Sequence, residues 1–452
     1  SGLFVLATTT WAGPPVNLGV QRPEVVATGP SRVVVRGQGQ SGAELVGVDT
    51  ERGAVAWRVP LESEQVEVVR VGDHLVTLGS PPQTIALATG QRARVERAAG
   101  RAVVAGEALL ATDGREVRRV SLAGEVAWTW ASGGRVHQVT GAGEGGAALL
   151  DDAVVRLDPA GAVVWRTELA LPAGASRGAK LVAAGGAVVV IAGRELRAFG
   201  LEDGAARDPL ELVPDEGKAK VTFELKRAPL AVGETLVLHG DHGRETPSGN
   251  NGFSYRGEAV CQLVDLGRLK VTWRVDAHDL LAVGPDAVVV EVWRKARSRE
   301  GGIAVPDVGS AAYSPDRGKR LWELDHVPTV TSTHLAVLMI DQPKPPWGLS
   351  IRDVRRGRQA AFVPVPEEHI HAAAERLRGG DLGAVAGFGC GALHDGAGFW
   401  VRSGATLRAV RTDALRDVAE LQLPEPTART TGVALDETGA LSAAFAPPRG
   451  AD

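Results

Sequence analysis

The sequence predicts an all-β chain built from one four-stranded antiparallel unit used many times, and three observations predict it. First, a short phrase recurs: an apolar strand, an acidic or small turn ending in glycine, then a tryptophan four residues after that glycine. It reads LVGVDTERGAVAW from Leu45 to Trp57 and VRLDPAGAVVW from Val155 to Trp165. Second, the turn glycines Gly53, Gly90, Gly124 and Gly161 stand 37, 34 and 37 residues apart. A steady period of that size marks a repeated supersecondary unit. Third, each interval divides into four short runs of alternating or continuous apolar character, bounded by Gly, Asp, Ser or Pro, as strands are.

The elements follow in order. After Trp57 come VEVVRVGD, HLVTLGS, QTIALATG and QRARVERA. The next unit reads RAVVAGE, ALLATDG, REVRRVSLAG and EVAWTW, ending its phrase at Trp128. The unit after it reads RVHQVTGAG, GGAALLD, AVVRLDPAG and AVVWRTEL. Further turns close at Gly204, Gly267, Gly318 and Gly357, and a weaker copy lies near Asp413. Trp273 ends CQLVDLGRLKVTW, a looser copy around Asp265, and Trp322 ends AAYSPDRGKRLW. Four antiparallel strands in about 40 residues is the blade of a β-propeller. The expectation is a single closed β-propeller domain over residues 1–452. Of nine turn phrases some are degenerate, so eight blades are favoured, with seven and nine open. The head LFVLATTT and the tail TGVALDETGALSAAF both read as strands, expected to meet and remove exposed sheet edges. A pair of β-sandwiches fits less well, because sandwiches do not repeat a turn phrase at constant period.

The phrase has a physical reading. The turn needs tight or positive-φ backbone, which glycine supplies at low cost. Asp49, Asp158 and Asp265 are suited to accepting backbone N–H bonds of their own turns. A large indole can bury its body between sheets and place its N–H on a carbonyl. Asp49, Gly53 and Trp57 stand at D-x-x-x-G-x-x-x-W spacing. Gly124 with Trp128, Gly161 with Trp165, and Gly318 with Trp322 repeat its last two elements. This resembles the tryptophan-docking repeat of the quinoprotein-like (PQQ-type) propellers over most of the chain.

Composition narrows the functional classes. Apolar residues make up 44% and charged residues 23%, with a net charge of −4 and no long basic block. Nucleic-acid binding normally carries a basic patch, and no run approaches the apolar length of a membrane helix, so neither is expected. Two cysteines, Cys261 and Cys390, rule out a disulfide-stapled scaffold. The opening residues carry no basic leader. The expectation is a cytoplasmic protein, with a periplasmic one after leader removal as the alternative.

Three stretches break the period: 240–257, 294–301 and 366–380. The first, GDHGRETPSGNNGFSYRG, reads as a polar loop. His239, Asp241, His242 and Tyr255 make it the candidate ligand loop, because His and Asp are zinc or manganese ligands. The second, RKARSREG, is an arginine-rich loop. The third, PEEHIHAAAERLRGG, is the best helix candidate, with Glu367, His371 and Glu375 on one face and an E-x-x-H pair at Glu368 and His371. Cys390 and His394 stand downstream of His369 and His371, but at no standard zinc spacing. Side chains solvated on loops and on an outward helix face account for all three stretches, so no metal site is expected. GFGCGALHDG, Gly387 to Gly396, is followed by a strand rather than a helix and is no dinucleotide loop.

The resemblance implies two opposite functions. Outer-membrane assembly propellers of this kind are protein scaffolds. The alcohol dehydrogenases instead stack a quinone under a vicinal Cys–Cys disulfide and bind calcium nearby. This chain has no adjacent cysteines and no CxxCH haem motif. The expectation is therefore a non-catalytic scaffold for a protein partner, without cofactor. Trp347, in DQPKPPWG, is a candidate contact. A quinoprotein-type dehydrogenase, and a propeller binding a small ligand or metal through the 239–255 loop, are the alternatives.

Overall fold

The computed structural model describes residues 5–8, 16–169, 171, 178–213, 220–248, 252–294, 307–339, 346–378, 388–413, 415–423, 429–435 and 440–446. These residues form ten antiparallel sheets, nine of four strands and one of five. In chain order, sheet 1 spans Gln21–Pro60, sheet 2 Val68–Arg94, sheet 3 Arg101–Ala131, sheet 4 Val136–Glu168 and sheet 5 Lys180–Glu211. Sheet 6 spans Lys220–Asp276, sheet 7 Asp279–Leu324, sheet 8 Thr329–Pro364 and sheet 9 Phe388–Gln422. Each is an up-and-down meander whose strands pair in sequence order, except that in sheet 6 both Lys220–Leu225 and Leu230–Val232 pair with Thr235–Ser248. The fold class is that of a β-propeller.

Each of the nine turn phrases falls in one of sheets 1–9. The tenth sheet has no phrase, because both ends of the chain build it. Val5–Thr8 lies between Val16–Asn17 and Leu441–Ala446, with Leu6 opposite Ala444, and Arg429–Leu435 completes the sheet. Head and tail therefore pair as expected, while the favoured count of eight was too low. Degenerate phrases still make whole blades, since a blade needs ladder pairing and an apolar face, not tryptophan.

Contacts divide the chain into two compact units. One comprises residues 1–79, 83–93 and 328–452; the other comprises 80–82 and 94–327. In both, the core lies between successive sheets. In the first unit, Val34, Leu45 and Trp57 of sheet 1 meet Leu75 and Ile85 of sheet 2. In the second, Leu149, Val154 and Trp165 of sheet 4 meet Val188, Val190 and Phe199 of sheet 5. Inner strands are buried on both faces, as Gly145–Leu150 and Ala153–Leu157 are throughout, while the outermost strand Val163–Glu168 buries Trp165 and exposes its neighbours. Continuous apolar runs inside and alternation outside follow from that placement.

The glycine–tryptophan phrase is a joint between sheets, not within one. Trp57 Nε1 donates to Leu87 O of sheet 2 at 3.1 Å, and its ring covers Gly90. Trp128 of sheet 3 donates to Pro159 O at 2.8 Å and covers Gly161 of sheet 4. Trp165 donates to Leu201 O at 2.9 Å and covers Gly204 of sheet 5. Trp273 of sheet 6 covers Gly318 of sheet 7 and lies 5.0 Å from the Tyr313 ring. A Cβ at Gly161 would sit 2.6 Å from the Trp128 ring, and one at Gly204 2.5 Å from Trp165. Real side chains do not approach so closely, so the docked ring itself requires glycine.

Where no ring docks, the position does not require glycine. Sheet 5 has Asp208 where the tryptophan would stand, and the next turn, in sheet 6, places Leu269 rather than glycine at positive φ (48°). Sheet 8 has Ala361 there, and sheet 9 places Leu415 at φ 48°. In the phrase around Asp265, Leu269 and not Gly267 holds the left-handed position, four residues before Trp273. Gly124 follows sheet 2, which has Arg94 in the tryptophan position, and nothing lies within 4 Å of a Cβ there. The acidic residues close their own turns: Asp49 accepts from Glu51 N and Arg52 N, Asp158 from Ala160 N and Ala162 N, and Asp265 from Arg268 N.

Candidate functional site

The 240–257 stretch is not a loop. Its residues extend two strands, Thr235–Ser248 and Gly252–Asp265, into a long hairpin with Asp241 opposite Ala259 and His242 opposite Glu258. Side chains alternate across a strand, so His239 and Asp241 point to one face and His242 to the other. His239 is buried, its Nε2 3.3 Å from Ala277 O, and burial pushes its pKa down. Asp241 pairs with Lys226 Nζ at 2.8 Å. The Tyr255 side chain lies outside the described residues. The hairpin therefore does not gather the predicted ligand set.

The helix forms over Glu367–Arg378. His371 Nε2 pairs with Glu367 at 3.0 Å and its ring meets Trp347 edge-on at 5.9 Å, so Trp347 is half-buried against the helix. His369 Nδ1 lies 2.6 Å from Ser403 Oγ, and Cys390 Sγ 3.9 Å from Thr329 Oγ1. The Glu375 side chain lies outside the described residues. Among the described residues no three His, Cys, Asp or Glu side chains are placed to hold a metal. Residues 295–301 of the arginine-rich stretch also lie outside the described residues.

Two surface features were not legible in the sequence. The first stands beside that stretch, on sheet 7. Trp293 is 53% exposed, the most exposed large hydrophobic among the described residues. Its Nε1 donates to Glu291 Oε1 at 2.9 Å, and the same oxygen is 3.0 Å from His278 Nδ1. The His278 and Trp293 rings stack at 3.9 Å and 14°. Alternation explains the placement: Val288, Val290 and Val292 pack inward, and Glu291 and Trp293 point away from them. The indole is thus an exposed aromatic surface held in one orientation.

The second is a cleft of about 940 Å³ at the ends of sheets 3 and 4. The start of strand Arg101–Ala105, the turn 112–116 and the connection 131–137 line it. The last two are stitched together. Ser132 N and Oγ donate to Arg115 O at 3.1 and 2.6 Å, and Val136 N donates to Gly114 O at 2.9 Å. Gly100, at φ 108°, brings the third wall against Thr112 O, where a Cβ would not fit. The charged lining is Arg101, Asp113, Arg115, Glu116 and Arg135. Both carboxylates are engaged: Arg118 Nη2 donates to Asp113 at 2.9 Å and Glu116 at 2.7 Å. The Arg115 amide, then that of Glu116 and the Arg118 charge, hold the Asp113 carboxyl below the usual range against its partial desolvation. Arg101 Nη1 donates to His137 O at 2.7 Å, and His137 Nε2 meets Asp151 Oδ1 at 2.5 Å. The exposed guanidiniums of Arg115 and Arg135 have no hydrogen-bond or ion-pair partner among the described residues.

No protein-family model and no curated protein matches the sequence. Among solved structures, the chain is similar to BamB from Moraxella catarrhalis at 12% identity, covering 85% of this chain and 95% of that one, with a TM-score of 0.35. It is similar to a eukaryotic initiation factor at 12% identity, covering 80% and 95%, with a TM-score of 0.44. It is similar to the dihydro-heme d1 dehydrogenase NirN at 12% identity, covering 90% and 74%, with a TM-score of 0.34.

Proposed function

We propose that this protein is a non-catalytic propeller of the quinoprotein-like kind that serves as a scaffold for a protein partner. The observation that carries the reading is the Trp293 platform. A large exposed indole contributes most to association when a partner desolvates it, and tryptophan is enriched among the residues that dominate interface energies. Here the Glu291 bond and the His278 stack fix its rotamer before any partner arrives, which lowers the ordering cost of binding. The partner's matching feature is an apolar side chain that covers the free indole face. The glycine–tryptophan joint supports the family assignment.

The test is affinity purification from the source organism with the wild-type chain and the Trp293→Ala variant as parallel baits. A stoichiometric partner recovered by the wild type should bind the variant at least 30-fold more weakly, the loss of a hot-spot residue worth about 2 kcal/mol. The variant's unfolding midpoint should be unchanged. Equal recovery by both baits, or no stoichiometric partner, would refute the reading.

A further inference from the structure

We propose that the cleft between the ends of sheets 3 and 4 is a binding site for a small anion that presents two or more carboxylate or phosphate oxygens, held by Arg115 and Arg135. The inference is independent of the scaffold reading and uses a different surface. Its first support is charge. The lining carries the guanidiniums of Arg101, Arg115 and Arg135 against the carboxylates of Asp113 and Glu116, both of which also pair with Arg118, so positive charge is in excess. Asp151, outside the lining, is engaged by His137. Its second support is preorganisation. The backbone of Arg115 is held at both its N–H, by Asp113 Oδ1, and its C=O, by Ser132, and the bond from Val136 N fixes the backbone next to Arg135. The two side chains therefore project from a stitched pair of turns while their guanidinium groups stay unengaged, with Arg101 fixed on the third wall.

The chemistry follows from the lining. Guanidinium groups offer paired N–H donors that match carboxylate and phosphate oxygens. Only Ala131 and Val136 are apolar, so the cleft does not suit an apolar ligand. Its volume is in the range of small-molecule sites and exceeds that of a single phosphate ion.

The experiment is isothermal titration of the full chain with citrate and, separately, with pyrophosphate, in chloride buffer of fixed ionic strength. The variants are Arg115→Gln, Arg135→Gln and the control Arg166→Gln. Arg166 lies in sheet 4 outside the cleft lining and pairs with Asp152 at 3.1 Å. The expected result is saturable binding of at least one anion, and the tighter arm identifies the source as carboxylate or phosphate. Each cleft variant should weaken it about tenfold or more, as loss of a charge-assisted hydrogen bond does, and Arg166→Gln should leave it unchanged. No saturable heat with either anion up to about 10 mM, tenfold weaker than a millimolar Kd, would overturn the proposal. Binding unaffected by the cleft variants, or weakened equally by the control, would also overturn it. Thermal melting of each variant without anion confirms that it folds, so a loss of binding reports on the cleft.

Discussion

If the glycine–tryptophan phrase is a joint between sheets, a methyl group at a docked glycine must do more harm than one at an undocked glycine of the same shape. Gly161 and Gly124 form a matched pair. Each closes a turn by donating its N–H to the residue three before it, Asp158 and Ser121, and their φ values are 85° and 89°. They differ in what lies above them: the Trp128 ring over Gly161, and open space over Gly124. Gly124→Ala should lose only the backbone term, about 1–2 kcal/mol for a left-handed non-glycine residue. Gly161→Ala should lose that and displace the indole. Overpacking adds about 1–3 kcal/mol, and straining the Trp128–Pro159 bond adds about 1 kcal/mol, for a total of about 3–6 kcal/mol. Equilibrium urea unfolding, followed on the transition of the unit that holds both residues, gives the two values. Combining Gly161→Ala with Trp128→Ala should destabilise less than the sum of the single changes, because removing the ring removes the clash. If the two glycine variants agree within about 0.5 kcal/mol, the ordinary scatter of additive effects, the joint is not what requires the glycine.

Burial holds the imidazoles of His239 and His334 below their ordinary value of 6.5, so the unfolded chain takes up protons that the folded chain resists. Their contribution to stability is complete above that value and shrinks as pH falls below it. The urea midpoint should therefore drop between pH of about 7.5 and about 5.5, and a flat or rising midpoint would contradict this. Burial pushes the Cys261 thiol up to about 12 and raises that of Cys390 as well. Native protein should resist a thiol-disulfide reagent such as DTNB and release two equivalents only on unfolding, whereas prompt native labelling of Cys261 would show that the strand around it is not buried. Leu6→Pro removes an N–H from a strand paired on both sides and should destabilise by about 3 kcal/mol. An unchanged midpoint would mean that the head strand does not close the tenth sheet.

Much of the architecture was legible because it rests on spacing. Nine phrases marked nine sheets, and the discount to eight treated weak copies as absent ones. The sequence also carried a finer signal in Leu269 and Leu415, which occupy the glycine position where the preceding sheet has no tryptophan to dock. A lone phrase hides this, since the steric demand on each glycine comes from the neighbouring sheet. The 240–257 stretch misled because its glycines and polar residues look like a loop, while ladder pairing across Asp241–Ala259 and His242–Glu258 makes it a hairpin. The arginine cleft was hidden for a different reason. Its parts, Gly100–Arg101, TDGRE and SGGR, read one by one as ordinary polar turns, and only the bonds from Ser132 and Val136 assemble them. Trp293 gave no signal either, since an indole in a strand is as easily buried as exposed.

The claim that this propeller works by holding a partner is tested most directly by placing a photo-crosslinking amino acid at position 293, with position 268 as the control. The Arg268 side chain is 84% exposed and lies on sheet 6. On irradiation in cells of the source organism, the account predicts one discrete adduct from position 293 and none from position 268. No adduct at 293, or the same adducts from both positions, would contradict it.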